Sequence, residues 1–384
     1  MKPYLLVMLA LVPAAGRAQS DPVTDSRAHY RQAAQAYEAH DLPAFLEHAR
    51  QAQTLRPTHG GALYALASAY AMNGVQADAL AMLERFAVLG YTADVAADSD
   101  FVSLRGTGGF DSLIGRLEDN RKSLVRSTVA FTLDEREFLP EGVTHDPASR
   151  SFFVGSVRQR KIVRVDPKGR ATELVGPARD GLWAPLGLGV DSRRHALWVA
   201  AAAVPQMTGY NPADSGRSGL FRFDIRTGKL TGRYPVPPDG SLHTLGDLTV
   251  TRAGDVYATD SRAPVIWRVT AGGDSLERFL QSPLLLSAQG LALSPDEGTL
   301  FVADYARGIL AVNLAARDIA LLPAADSVLA LGIDGVYYHE GTLIGIQNGV
   351  TPHRVVRLWL SPGRDRVLRS EVLERAHPRH GEPT

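Results

Sequence analysis

The sequence predicts a helical front joined to an all-β propeller, and three observations carry that fold class. One short pattern recurs five times between residues 141 and 348, at intervals of about 43 to 45 residues with a single longer one of about 60, which is the period of a propeller blade. Ahead of it, residues 21–124 place apolar side chains at helical spacing and repeat with a shift of about 33 residues. After Arg121-Lys122-Ser123 the hydrophobic period switches from helical to two.

The chain opens on Lys2, an apolar stretch from Tyr4 to Ala15, and small residues at Gly16-Arg17-Ala18. That arrangement predicts a secretory signal peptide over residues 1–18, too short to span a membrane. With no cysteine at the cut, a lipid-anchored form is not expected, so the mature protein is read as secreted or periplasmic, with no membrane span.

From about Asp21 to Leu124 the expectation is a tetratricopeptide-like helical domain. Ala34-x-x-Tyr37 followed by Asp41 recurs as Ala67-x-x-Tyr70 followed by Gly74, and Leu46 pairs with Leu80. The alanines would let helices approach, and the two tyrosines would fill the space between about two repeats. Asp98 and Asp100 offer capping oxygens to a closing unit whose apolar face is Phe101, Leu104, Phe110, Leu113 and Leu117. A groove in such an array would take a protein or peptide partner.

Residues 128–384 are expected to form the propeller. Its repeats open at Glu141-Gly142, Leu186-Gly187, Gly246-Asp247, Gln289-Gly290 and Asp334-Gly335. Each continues as two alternating runs joined by explicit turn residues, such as Asp146-Pro147-Ala148-Ser149 and Ser294-Pro295-Asp296-Glu297. The long interval holds a polar insertion, residues 201–219, placed to shape access to the channel. The innermost strand of every blade starts at one mouth of a central channel, so the five opening residues should converge there, on a small-molecule ligand.

Composition narrows the chemistry. Forty-one basic residues balance 41 acidic ones, which gives no electrostatic footprint for nucleic acid. The chain has no cysteine, excluding disulfides, thiolate metal sites and cysteine nucleophiles. Motifs of serine hydrolases, helical zinc proteases and nucleotide-binding loops are missing as well.

Pro140-Glu141-Gly142, Gln289-Gly290-Leu291 running through Ser294-Pro295-Asp296 into Val302-Ala303-Asp304, and Asp334-Gly335-Val336 together resemble the senescence-marker/gluconolactonase family and, distantly, the paraoxonases. The resemblance covers about residues 140–348. It implies a propeller of the six-bladed type, although five blades are evident and the last is incomplete; a shortened six-bladed ring is preferred over closure with five. It also implies a divalent cation, Ca²⁺, Mg²⁺ or Mn²⁺, held by Glu141, Gln289 and Asp334, where glutamine stands for the family's asparagine. Asp334 would be the general base of a lactonase or esterase. Asp247, His243 and Asn348 are secondary channel candidates, and the histidine by which paraoxonases recruit water is missing at Leu186. The favoured expectation is an exported binding or scaffold protein with a partly degenerate hydrolase site, the alternative an active metal-dependent hydrolase.

Overall fold

A computed structural model describes residues 21–384; the expected signal peptide lies outside the described residues. Five helices come first: α1 (Pro22–Glu38), α2 (Leu42–Leu55), α3 (Gly60–Met72), α4 (Gln76–Val88) and α5 (Phe110–Arg121). Their starts follow from local chemistry. Asp21 accepts from Thr24 N–H at 3.0 Å ahead of Pro22, and Asp41 accepts from Ala44 N–H at 3.1 Å ahead of Pro43. His59 caps α3, its Nδ1 accepting from Ala62 N–H at 3.2 Å.

The helices pack in succession, each against the next. The small side chains at the α1–α2 contact are Ala33, Ala36, Ala49 and Ala52, all buried. This is one residue away from the expected Ala34 and Tyr37. Tyr37 does not fill a gap between units: it is 40% exposed and lines an open groove of about 520 Å³ with Tyr30, Phe45 and Tyr64. The closing unit is as expected in its apolar face, with Phe101, Leu104, Phe110, Leu113 and Leu117 all buried against α3 and α4.

Five four-stranded antiparallel sheets follow, each built from consecutive strands. Blade 1 comprises β1 (Pro140–Asp146), β2 (Ser151–Ser156), β3 (Lys161–Val165) and β4 (Ala171–Val175). Blade 2 comprises β5 (Ala184–Asp191), β6 (Ala196–Ala202), β7 (Ser218–Asp224) and β8 (Leu230–Pro235). Blade 3 comprises β9 (Leu245–Val250), β10 (Val256–Asp260), β11 (Val265–Val269) and β12 (Glu277–Gln281). Blade 4 comprises β13 (Ala288–Leu293), β14 (Thr299–Asp304), β15 (Gly308–Asn313) and β16 (Asp318–Leu321). Blade 5, expected to be incomplete, has all four strands: β17 (Val336–His339), β18 (Thr342–Gln347), β19 (Arg354–Leu360) and β20 (Val367–Arg375). The core lies between blades, as in the cluster of Trp198, Leu220, Leu248, Ala258 and Trp267.

The glycines of the repeat have a physical cause. A Cβ on Gly142 would stand 2.3 Å from Leu186 O, one on Gly187 2.6 Å from Asp247 Cα, and one on Gly290 2.6 Å from Asp334 O. Each glycine lets the next blade's inner strand come into backbone contact, tightening the ring around the channel. Gly187→Ala should therefore cost about 1–3 kcal/mol, the range for overpacking a filled interior. A urea midpoint equal to that of the parent would contradict this account of the repeat.

At blade 5 the same position meets something different. The Cβ direction of Gly335 points to Ile346 and, at 3.5 Å, to Thr384. Among the described residues there is no sixth sheet; residues 381–384 run along the seam between blades 5 and 1 instead. Thr384 Oγ1 donates to Glu141 O at 3.0 Å, and Asn348 Nδ2 donates to Pro383 O at 3.0 Å. This segment stands where a following blade would place its inner strand.

The helical front docks on loops of blades 4 and 5. Leu63, Phe86 and Leu89 share one core with Leu329 and Val350. Arg354, 3% exposed, reaches across to donate to Leu89 O at 3.1 Å. These loops lie at the same end of the ring as the repeat openings: Gly349 N–H bonds Gly332 O, two residues before Asp334, and Asn348 bonds Asp334 itself. The segment joining the two parts is laced to β20, with Leu124 bridging Arg375 and the amides of Arg126 and Ser127 donating to Glu374.

Candidate functional site

The inner strands bring Glu141, Leu186, Asp247, Gln289 and Asp334 to the wall of one channel of about 920 Å³. Thr384 and Tyr337 line it too. Glu141 is exposed to the solvent of the channel but enclosed by protein around it. Burial, then the nearby carboxylates of Asp334 and Glu382, push its pKa up to about 7. Asp247 rises to about 7, chiefly through burial with a contribution from Asp334, although Leu248 and Leu291 donate backbone hydrogen bonds to it. Asp334 is raised by burial and by Glu382, against the hydrogen bond from Asn348.

Asn348 occupies the turn after β18 and is the most informative neighbour. Its Nδ2 donates to Asp334 Oδ2 at 2.7 Å and to Pro383 O, and its Oδ1 is buried with no hydrogen-bond partner among the described residues. A buried carbonyl oxygen without a donor is a costly arrangement. Gln289 anchors its amide by donating from Nε2 to Ser287 Oγ at 3.2 Å, leaving Oε1 as the free ligand atom. The channel thus collects carboxylate and amide oxygens, mutually repelling and short of donors. By atom type that donor set suits a hard divalent cation and offers nothing soft for zinc or copper, although among the described residues no three of the channel acids bring their ligand atoms within 4.8 Å of one another.

His243 does not join this group. It is 3% exposed behind blade 3, with Nδ1 at 2.7 Å from Asp260 and Nε2 at 3.0 Å from Asp239, its ring edge-on to Trp267. Asp260 and Asp304 end the second strands of their blades and bind loop amides: Asp304 accepts from the backbone of Leu286, Ser287, Ala306 and Arg307. These are ring-building side chains.

Sequence reasoning missed Glu382, whose carboxylate acts on Glu141 and Asp334 from the seam. Nothing in the repeat pattern marks it, because it follows the last repeat. Reasoning also missed Glu374, His377 and His380, whose ligand atoms lie within 4.8 Å of one another. Among the described residues Glu374 Oε2 and His380 Nδ1 are buried there without hydrogen-bond partners, Oε2 standing 3.9 Å from His377 Nε2. His377 Nδ1 accepts from Arg379 N–H at 3.0 Å, so its neutral ring carries its proton on Nε2. That tautomer offers the cluster no lone pair.

No family model matches the chain, and no curated protein matches it. Solved structures resemble it at low identity. The calcium-binding protein regucalcin from Agrobacterium tumefaciens is 19% identical, over 61% of this chain and 74% of that one, with a TM-score of 0.45. Virginiamycin B lyase from Staphylococcus aureus is 16% identical, over 63% and 71%, with a TM-score of 0.44. A chain of a nidogen/laminin complex is 14% identical, over 62% and 86%, with a TM-score of 0.45. The propeller architecture rests on the five sheets themselves, and the function has to be argued from the channel.

Proposed function

We propose that this is an exported, secreted or periplasmic, binding protein whose channel holds a divalent cation, Ca²⁺, Mg²⁺ or Mn²⁺, together with a small-molecule ligand. The observation that carries the reading is the gathering of Glu141, Gln289 and Asp334 on one channel wall, their carboxylates raised by burial first and by neighbouring acids next, with the partnerless Asn348 Oδ1 beside Asp334. Glu141, Gln289 and Asp334 would hold the ion, with Asn348 bonded to Asp334 beside them. The groove of Tyr30, Tyr37, Phe45 and Tyr64 supports a protein or peptide partner on the helical front.

A hydrolytic reading, lactonase or esterase, is favoured by one feature. Burial raises Asp334 above the usual carboxylate value, the direction a general base requires. When bound, the cation would supply a Lewis acid for a carbonyl oxygen. Asn348 orients the Asp334 carboxylate by bonding Oδ2, which leaves Oδ1 to accept a proton from water. The segment at 381–384 narrows the mouth beside this carboxylate, an arrangement better suited to retention than to rapid turnover. Asp334→Asn separates the readings: it should weaken Ca²⁺ binding about tenfold or more and abolish any lactone hydrolysis. Hydrolysis that survives the substitution removes Asp334 as the base.

The raised carboxylates set a pH dependence. Glu141 keeps its proton in the fold up to about pH 7, whereas the unfolded chain releases it near 4.5. The folded state therefore binds more protons across that window, and stability of the cation-free protein falls as pH rises through it. Ca²⁺ should restore that loss above pH 7 and have little effect at pH 5, as melting curves at the two pH values would show.

A further inference from the structure

We propose that the cleft between the helical front and blades 4 and 5 binds a small organic anion carrying a phosphate or carboxylate group. This cavity of about 560 Å³ is separate from the channel, and it is lined by Arg27 and Arg31 of α1, by Arg56 and His59 between α2 and α3, and by Tyr91 and Tyr305. Among the described residues no carboxylate side chain lines it. Arg27 and Arg31 lie one helical turn apart, and among the described residues neither has an ion-pair partner. Arg56 spends one nitrogen on Ala306 O at 2.8 Å, which fixes the guanidinium at the junction and leaves its other donors free.

His59 contributes a directed donor. Its Nδ1 already accepts from Ala62 N–H, so a neutral ring carries its proton on Nε2. The ring does stay neutral near pH 7, because burial and then the charges of Arg56 and Arg27 push its pKa down to about 4. Arg56 is itself lowered, by burial first and by Arg27 next. Arg27 and Arg56 thus repel one another across the cleft, with Arg31 on the same wall, which an anion would relieve. The amino end of α3 opens on the same space through Gly60 and Gly61, adding its positive dipole end. Planar guanidiniums match the oxygens of a phosphate or carboxylate, while Phe86, Leu331 and Val350 offer apolar wall to the rest of the molecule.

The neighbouring acids are already committed. Asp21 pairs with Arg307 at 2.5 Å, and Asp304 is held by four backbone amides. Neither lines the cleft, and Asp304 offsets only part of the Arg56 charge from outside it.

The test is titration of the protein with phenyl phosphate and, separately, benzoate, at constant ionic strength and without added divalent cation, read by calorimetry. Saturable binding of either probe below about 1 mM, weakened about tenfold or more in an R27E/R31E variant, is expected. The tighter probe then tells which anion the cleft prefers. Both substituted positions are exposed on α1, and R27Q/R31Q serves if the charge reversal shifts the urea midpoint. No heat of binding for either probe, or unchanged binding in the variants, overturns the proposal. Because the channel cation plays no part in this titration, its failure would leave the channel reading untouched.

Discussion

Replacing Arg354 by alanine is expected to destabilise the protein by about 3–5 kcal/mol, the cost of breaking a buried charged network at one partner. Arg354 Nε donates to Gln347 Oε1 at 2.5 Å and Nη2 to Leu89 O at 3.1 Å. Gln347 in turn donates to Leu329 O and Leu331 O. Burial is severe enough to pull the guanidinium down to about 10. Alanine would strand Gln347 Oε1 and Leu89 O in a closed interior, and it would remove one of the side chains that join blade 5 to the helical front. The measurement is a urea denaturation curve with limited proteolysis alongside. A loss below about 1 kcal/mol, the size expected of a solvent-exposed contact, with no faster release of the helical front, would show that apolar packing alone holds the junction.

Asp260→Ala should cost a similar amount, about 3–5 kcal/mol. The carboxylate accepts from the backbone of Thr244, Arg262 and Ala263, each at 3.1 Å, and from Trp267 Nε1 at 3.1 Å. It also holds His243 at 2.7 Å. Burial works against a charged ring at His243, but hydrogen bonds to Asp239 and Asp260 prevail and raise its pKa above the usual 6.5. A histidine raised in the fold contributes stability that is complete below about pH 6.5 and lost as pH rises through the folded value. Asp260→Ala should therefore lower stability at every pH and flatten this part of the pH profile. A variant that keeps the parental slope above pH 6.5 would contradict the role given to this carboxylate.

Much of the ring was legible because its physics repeats. A glycine is needed wherever one inner strand meets the next, so Gly142, Gly187 and Gly290 recur at fixed places and mark the blades. The same regularity located Glu141, Gln289 and Asp334 at one mouth. What escaped depends on contacts far apart in the chain. His243 looked like a channel residue because it lies four positions before Asp247, yet it is turned away by Asp239 and Asp260, and sequence distance says nothing about that choice. The expected sixth blade has, among the described residues, a short segment in its place, and Glu382 enters the electrostatics of the site through it. In the helical front, alanines at neighbouring positions made the buried face ambiguous by one residue. The Arg27, Arg31, Arg56 and His59 cleft has no motif at all, since only docking of the helices on blades 4 and 5 assembles it.

The central claim is that the channel is a divalent-cation site, and metal content with calcium-dependent melting tests it most directly. Protein purified without chelator and analysed for elements should carry about one Ca²⁺, Mg²⁺ or Mn²⁺ per chain. After chelation, Ca²⁺ at about 100 times its dissociation constant should restore about 2.7 kcal/mol of stability at pH 7.5. The Asp334→Asn variant should carry less metal and recover at most about half of that gain at the same Ca²⁺ concentration. Protein free of divalent metal, with a melting temperature unmoved by excess Ca²⁺, Mg²⁺ or Mn²⁺, would contradict the account.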